Sequence, residues 1–227
     1  MPKHVAVNTK FFKTWTPEMA YALGFFTADG CLTINPRGSH YIEFTCNDRD
    51  VLEKIRTAMA SKHKIGRRVR RHLNEAQTFR IQIGSKTMFD DIRKLGFTVN
   101  KTKNLTLPRV PNRYFADYVR GYFDGDGCVS YGHYRYRNRR RKKFHLLVRL
   151  VCFHKQFLVQ LAVRIKRVMK TNGQTIFRQS PVYALSYSIR DSRKIIEHFY
   201  RQPSGMWMNR KYKSCQAALR MHHGDVA

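Results

Sequence analysis

The sequence predicts a duplicated α+β fold in which each half runs helix, two strands, helix, two strands, helix. Three observations carry this. First, "ALGFFTADGCL" (Ala22 to Leu32) lies over "VRGYFDGDGCV" (Val119 to Val129) at the constant offset of 97 that relates Asp29 to Asp126, so Gly24 falls on Gly121, Phe26 on Phe123, Gly30 on Gly127 and Cys31 on Cys128. Second, each copy leads into a strand-like alternation ending in cysteine and then a helical segment: "SHYIEFTCNDRDVLEKIRTAM" in one, "KFHLLVRLVCFHKQFLVQLAVRIKRVM" in the other. Third, "TFRIQIGSKTMFDDIRKLG" and "VYALSYSIRDSRKIIEHFY" repeat a strand followed by a helix. The halves are residues 1–104 and 113–227, joined by a linker over 105–112 that carries Pro108 and Pro111.

The first motif helix starts at Thr16, an N-cap residue with Pro17 at the first helical position, and the second has Asn112 in the same role after Pro111. Gly30 and Gly127 mark their ends, as residues that tolerate left-handed angles. Small residues recur every four positions, Ala20, Gly24 and Ala28 in one helix, Gly121 and Gly125 in the other. A stripe without bulk in both copies lets the two helix backbones pack closely on each other.

Composition bounds the partners. Hydrophobic residues at 42% and aromatics at 13% describe a globular chain, so the 44 Lys and Arg belong to a folded body. Against 15 Asp and Glu they give a net charge of +29, which points to a nucleic acid. The longest nearly apolar run, "AYALGFFTA", is too short to span a bilayer, and "MPKHVAVNTK" lacks the apolar core of a secretion signal. Five cysteines without a CxxC pair fit reduced thiols, and those beyond the aligned Cys46 and Cys152, Cys215 among them, read as small core residues. The expectation is an intracellular protein of cytoplasm, nucleoid or organelle.

Packing the motif helices side by side would bring Asp29 and Asp126 together. Two carboxylates about 5 Å apart repel by about 3 kcal/mol at an effective dielectric near 20. Their place at the negative ends of two helix dipoles adds to the cost. A hard divalent cation reverses the sign, since the carboxylates and the last-turn carbonyls of Ala28 and Gly125 make an all-oxygen site, with Mg²⁺ the best candidate. Such an ion can bridge a phosphate oxygen and activate water.

"ALGFFTADG" and "VRGYFDGDG" resemble the two copies of the motif that names the LAGLIDADG homing endonucleases, and two copies in one chain resemble the monomeric branch of that family. The resemblance extends over nearly the whole chain. It implies a pseudo-twofold αββαββα duplication with two saddle-shaped antiparallel sheets on the DNA major groove. It implies metal-dependent cleavage of both strands across the minor groove, leaving 3′ overhangs, at a long, near-asymmetric site in double-stranded DNA. An intron-encoded, monomeric protein is also implied, with Mn²⁺ substituting for Mg²⁺ and Ca²⁺ supporting binding without cleavage. Asp29 and Asp126 would be the metal-binding catalytic carboxylates; Thr27 departs from the motif where the second copy keeps Asp124.

The family often has a polar residue just after the second strand of each half, ordering water near the metals, and Asp48 and His154 fall there, aligned through Cys46 and Cys152. Basic residues near the scissile phosphates are expected late in each half: Lys101 in the first, Lys211 in the second with Arg210 competing. For DNA reading, Phe79, Ile81 and Ile83 alternate with Arg80 and Gln82, giving one apolar face and one that can donate to base edges. Arg37, Arg68, Arg70 and His72 add to the first half, and Arg149 and Arg178 stand comparably in the second. The segment from Tyr131 to Phe144, with Arg135, Arg137, Arg139 and Arg140, reads as a phosphate-tracking hairpin tip, since no Asp or Glu occurs from Cys128 to Arg190. An RNA-binding intron maturase and a non-cleaving DNA-binding regulator on the same scaffold remain open alternatives.

Overall fold

A computed structural model describes residues 5–68, 76–99, 105–135, 142–201 and 204–221. They group into two compact units: one runs through Gly125 and also takes in Ser204–Met208, and the other starts at Asp126 and lacks that short segment.

The first unit opens on α1 (Pro17–Asp29), capped by Thr16, whose hydroxyl accepts from the Met19 N–H at 3.1 Å, with Pro17 in the first turn as expected. Every residue from Met19 to Thr27 is buried, so the helix has no solvent face to mark with polar residues. β1 (Gly30–Ile34) follows without a loop, and β2 (His40–Cys46), β3 (Ile65–Arg67) and β4 (Phe79–Gly84) complete an antiparallel sheet of order β1-β2-β4-β3. Its alternate residues Leu32, Ile42, Phe44, Ile81 and Ile83 are fully buried on the side covered by α1, α2 (Arg49–Ala58) and α3 (Lys86–Lys94). Burying each such side chain contributes about 1.5 to 3 kcal/mol, which fixes the register, because a slip by one residue would turn all of them outward.

α4 (Phe115–Asp126) packs into this unit up to Gly125. A Cβ on Gly24 would lie 1.9 Å from the Tyr118 carbonyl oxygen, and one on Gly121 would lie 2.0 Å from that of Tyr21. The stripe of small residues therefore does what the spacing predicts: it brings two helix backbones into contact.

In the second unit β5 (Gly127–Tyr134), β6 (Lys143–Cys152), β7 (Thr175–Gln179) and β8 (Val182–Tyr187) repeat the sheet in the order β5-β6-β8-β7, with α5 (Lys155–Met169) and α6 (Ile189–Tyr200) on its buried side. The predicted α+β duplication and its antiparallel sheets are present.

Five details differ from the sequence reading. Gly30 is extended (φ −99°), not left-handed; it is glycine because a Cβ would meet the Phe26 ring at 2.1 Å. Asn112 is not an N-cap: a 3₁₀ turn, Asn112–Tyr114, precedes α4, with the Tyr114 N–H donating to Pro111 O. β5 runs on to Tyr134, paired with Lys143, so Tyr131 to Tyr134 belong to the strand rather than to a hairpin tip. Cys31 and Cys128 are not core residues: they sit at equivalent strand positions, half-buried and exposed respectively, whereas Cys46, Cys152 and Cys215 are buried. The fifth is α7 (Asn209–Met221), which lies along β5 and which the repeat could not foretell, having no counterpart among the described residues of the first half.

Candidate active site at the ends of the motif helices

Asp29 closes α1 and is half-buried, and its backbone oxygen accepts from the Thr45 hydroxyl of β2 at 3.3 Å. Beside it stands Gly125 of α4, where a Cβ would be 2.3 Å from the Ala28 Cβ and 3.1 Å from the Asp29 carboxylate. Only a residue without a side chain leaves the Asp29 carboxylate room on this side. Asp126, also half-buried, is the next residue in the chain and the first of the second unit. In that unit Lys211 of α7 is 7% exposed and donates to the Gly127 carbonyl at 2.6 Å, which holds an ammonium group one residue from Asp126. Arg210, the competing candidate, is exposed.

Among the described residues no three His, Cys, Asp or Glu side chains converge on one point. The donors at Asp29, Ala28 and Gly125 are carboxylate and carbonyl oxygens, a set that fits a hard divalent cation completed by water or phosphate oxygens and does not fit zinc.

The motif position that breaks symmetry has a structural use. Asp124 is 1% exposed and accepts from the Tyr21 hydroxyl at 2.6 Å and from the Met208 N–H at 2.8 Å. Thr27, its counterpart, donates to Leu23 O at 2.8 Å and lies 3.0 Å from the Tyr118 hydroxyl. Thr27 has one proton and Leu23 takes it, so Tyr118 is the donor. Tyr21 and Tyr118 are themselves related by the offset of 97, one residue before the aligned stretch begins, and extending the alignment by that residue would have found them.

A segment without any signature in the sequence is fastened here. Arg120, 1% exposed, donates to Asp117 at 2.7 Å and to Met206 O at 2.8 Å and lies over the Tyr21 ring at 5.5 Å. Lys54 donates to Trp207 O at 2.6 Å with its ammonium 4.9 Å from that indole. Desolvation pulls the Lys54 pKa below its usual value against the pull of Asp50 and Asp124, and burial pushes the Asp117 carboxyl up despite Arg120. These groups tie Ser204–Met208 to α2 and α4 within the first unit.

Asp48 and His154 are the N-caps of α2 and α5, with nearly equal backbone angles (φ −91° and −100°, ψ 105° and 104°). Each donates its N–H to the cysteine two residues back, Cys46 at 3.3 Å and Cys152 at 3.4 Å, so the duplication reaches into local hydrogen bonding. On the first sheet Arg80 and Gln82 lie on the face turned away from the helices, with Glu43 directly opposite Gln82 in the register; Arg37 is exposed in the β1–β2 turn and Arg68 beyond β3. Arg149 occupies the same face of the second sheet, bonded to Ser186 and Gln179 and lying over Phe177. Arg178 does not share it: pairing with Tyr183, which pairs with Cys152, puts it on the helix side of an edge strand. Arg135 is exposed just past β5. Arg70, His72, Lys101, Arg137, Arg139 and Arg140 lie outside the described residues.

The fold and motif ends define a class: a duplicated α+β chain with an acidic residue closing each of two motif helices. Residues 16–94 match the model of the LAGLIDADG-like domain. Across 92% of this chain and 91% of the other, the fold superposes on the LAGLIDADG meganuclease I-AabMI bound to uncleaved DNA, with a TM-score of 0.64 at 15% identity. It also superposes on I-SmaMI bound to an uncleaved DNA target in the presence of calcium ions (TM-score 0.62, 14% identity, 92% of each chain). The match to the LAGLIDADG homing endonuclease I-LtrWI bound to target DNA has a TM-score of 0.60 at 13% identity, over 95% and 92% of the chains. The ribonucleoside-diphosphate reductase NrdEB alpha subunit of Bacillus subtilis strain 168 and its Bacillus phage SPbeta counterpart are each 27% identical over 140 residues, 53% of this chain. The chain spans 12% of the length of those curated relatives. Residues 16–94 are thus similar to a LAGLIDADG-like domain, and the chain shares the fold of the meganucleases on which it superposes.

Proposed function

We propose that this chain is a site-specific, divalent-metal-dependent double-strand DNA endonuclease, acting as a monomer inside the cell and cutting both strands across the minor groove to leave 3′ overhangs. The observation that carries the reading is the close approach of α1 and α4 at Gly24 and Gly121, continued at Gly125 against Asp29, with Asp126 next in the chain. Folding alone would not favour an acid at the end of each of two such helices, whereas a shared cation would.

In this reading Asp29 and Asp126, with the Ala28 and Gly125 carbonyls, hold Mg²⁺, for which Mn²⁺ substitutes and Ca²⁺ supports binding alone. The ion supplies Lewis acidity at the scissile phosphate and lowers the pKa of its water. Lys211 holds positive charge beside Asp126, where negative charge grows on the reacting phosphate, and Lys101 serves the first half likewise. Asp48 and His154 orient water from the N-caps of α2 and α5. Arg80, Gln82 and Arg149 face the major groove, with Arg37, Arg68 and Arg135 on phosphates. The net charge of +29 supplies attraction to DNA. The meganucleases of like fold, bound to DNA and in one case with calcium ions present, support the same reading.

The test is to digest a randomised duplex library with Mg²⁺ and sequence the ends. One recurrent asymmetric site cut with a constant 3′ stagger is expected; no cutting of duplex DNA would overturn the proposal.

A further inference from the structure

Across the eight strands of the described residues, Glu43 is the single acidic residue. It lies mid-β2 on the face turned away from the helices, its side chain 15% exposed. Gln82 donates to its Oε2 at 3.2 Å, and the Arg80 Nη1 lies 3.7 Å from the same oxygen, with the Arg80 side chain 47% exposed. The other described acids of the first half that pair with a cation do so along a helix, Arg49 with Glu53, Lys54 with Asp50, Lys86 with Asp90 and Lys94 with Asp91. A carboxylate on a strand face offered to a polyanion repels every phosphate near it. Its presence calls for a partner that donates.

The repeat sharpens the point. Aligned through Cys46 and Cys152, Glu43 corresponds to Arg149; Glu43 pairs with Cys31 in the register as Arg149 pairs with Cys128. At one equivalent place the two sheets thus carry opposite charges. Carboxylates accept from the N4 amino group of cytosine, and arginine donates to O6 and N7 of guanine. We propose that Glu43 and Arg80 together read a single C·G base pair, Glu43 accepting from the cytosine and Arg80 donating to its guanine, while Arg149 reads guanine at the corresponding place in the other half-site. This makes Glu43 a specificity-determining residue and the reason the two half-sites differ there. It rests on the endonuclease reading above.

The experiment takes the full chain through the randomised library twice, once by cleavage in Mg²⁺ and once by binding in Ca²⁺, for the unmodified protein, Glu43→Gln and Arg80→Gln. The unmodified protein should demand C·G at one position, and both variants should relax that same position by about tenfold, the scale of one base contact, leaving other positions unchanged. If both variants keep the original preference, or weaken all sequences equally, Glu43 merely neutralises Arg80 and this inference fails while the endonuclease stands. An unmodified protein that neither cuts nor selects any duplex overturns both.

Discussion

The Tyr21 hydroxyl donates to the Asp124 carboxylate at 2.6 Å, and the Tyr118 hydroxyl, its repeat counterpart, reaches Thr27 at 3.0 Å. Each tyrosine of one motif thus bonds the sixth residue after its counterpart in the other motif, and the carboxylate present in one copy alone has been recruited to hold Met208 as well. Tyr21→Phe strands part of a buried carboxylate, costing about 1.5 to 3 kcal/mol. Thermal melting should fall by roughly 3 to 10 °C for a chain of this size. An unchanged melting point would mean that the bond contributes nothing.

Gly24→Ala and Gly121→Ala should each be harsher than their size suggests. The added methyl meets a backbone carbonyl at 1.9 or 2.0 Å, with no flexible side chain to swing away. A loss of about 3 kcal/mol or more is expected from denaturant unfolding, against which Gly66→Ala, with nothing within 4 Å, is the control.

Asp29→Asn and Asp126→Asn should each lower cleavage by more than about 10²-fold while Ca²⁺-supported DNA binding stays within a few-fold. Plasmid cutting and gel shifts read the two separately. Cutting at the original rate by either variant removes that carboxylate from the site.

DNA affinity should drop by on the order of 10³-fold between 50 and 200 mM salt, as counterions compete for phosphates. A flat titration would contradict phosphate-dominated binding.

Asp117 sets a pH dependence whose sign is fixed by its environment. Burial raises its folded pKa above the ordinary 3.8, so the folded state holds its proton more tightly than the unfolded chain. Its contribution is fully present below 3.8 and is lost as pH rises through the raised value. Stability relative to Asp117→Asn should therefore decline from acid toward neutral pH in urea melts; a rise over that interval would show that Arg120 outweighs burial.

The sequence by itself determined the duplication, the order of helices and strands before the last helix, the inward residues of the strand over Phe79–Gly84 and the two acids at the motif ends. These are legible because alternation, helical period and repeats are properties of neighbouring residues, set by burial of one face. Only the tertiary structure decided what Asp124 is for, why Gly30 must lack a side chain, that Lys211 rather than Arg210 is turned inward at Gly127, and that Arg178 and Arg149 lie on opposite faces. It alone fastened Ser204–Met208 beneath Arg120 and Lys54. The contacts of Asp124, Lys211, Arg120 and Lys54 each depend on which distant backbone oxygen or amide comes within 3 Å of a side chain. Local pattern carries no record of that distance, because it is fixed only when elements some eighty to a hundred and fifty residues apart close on one another.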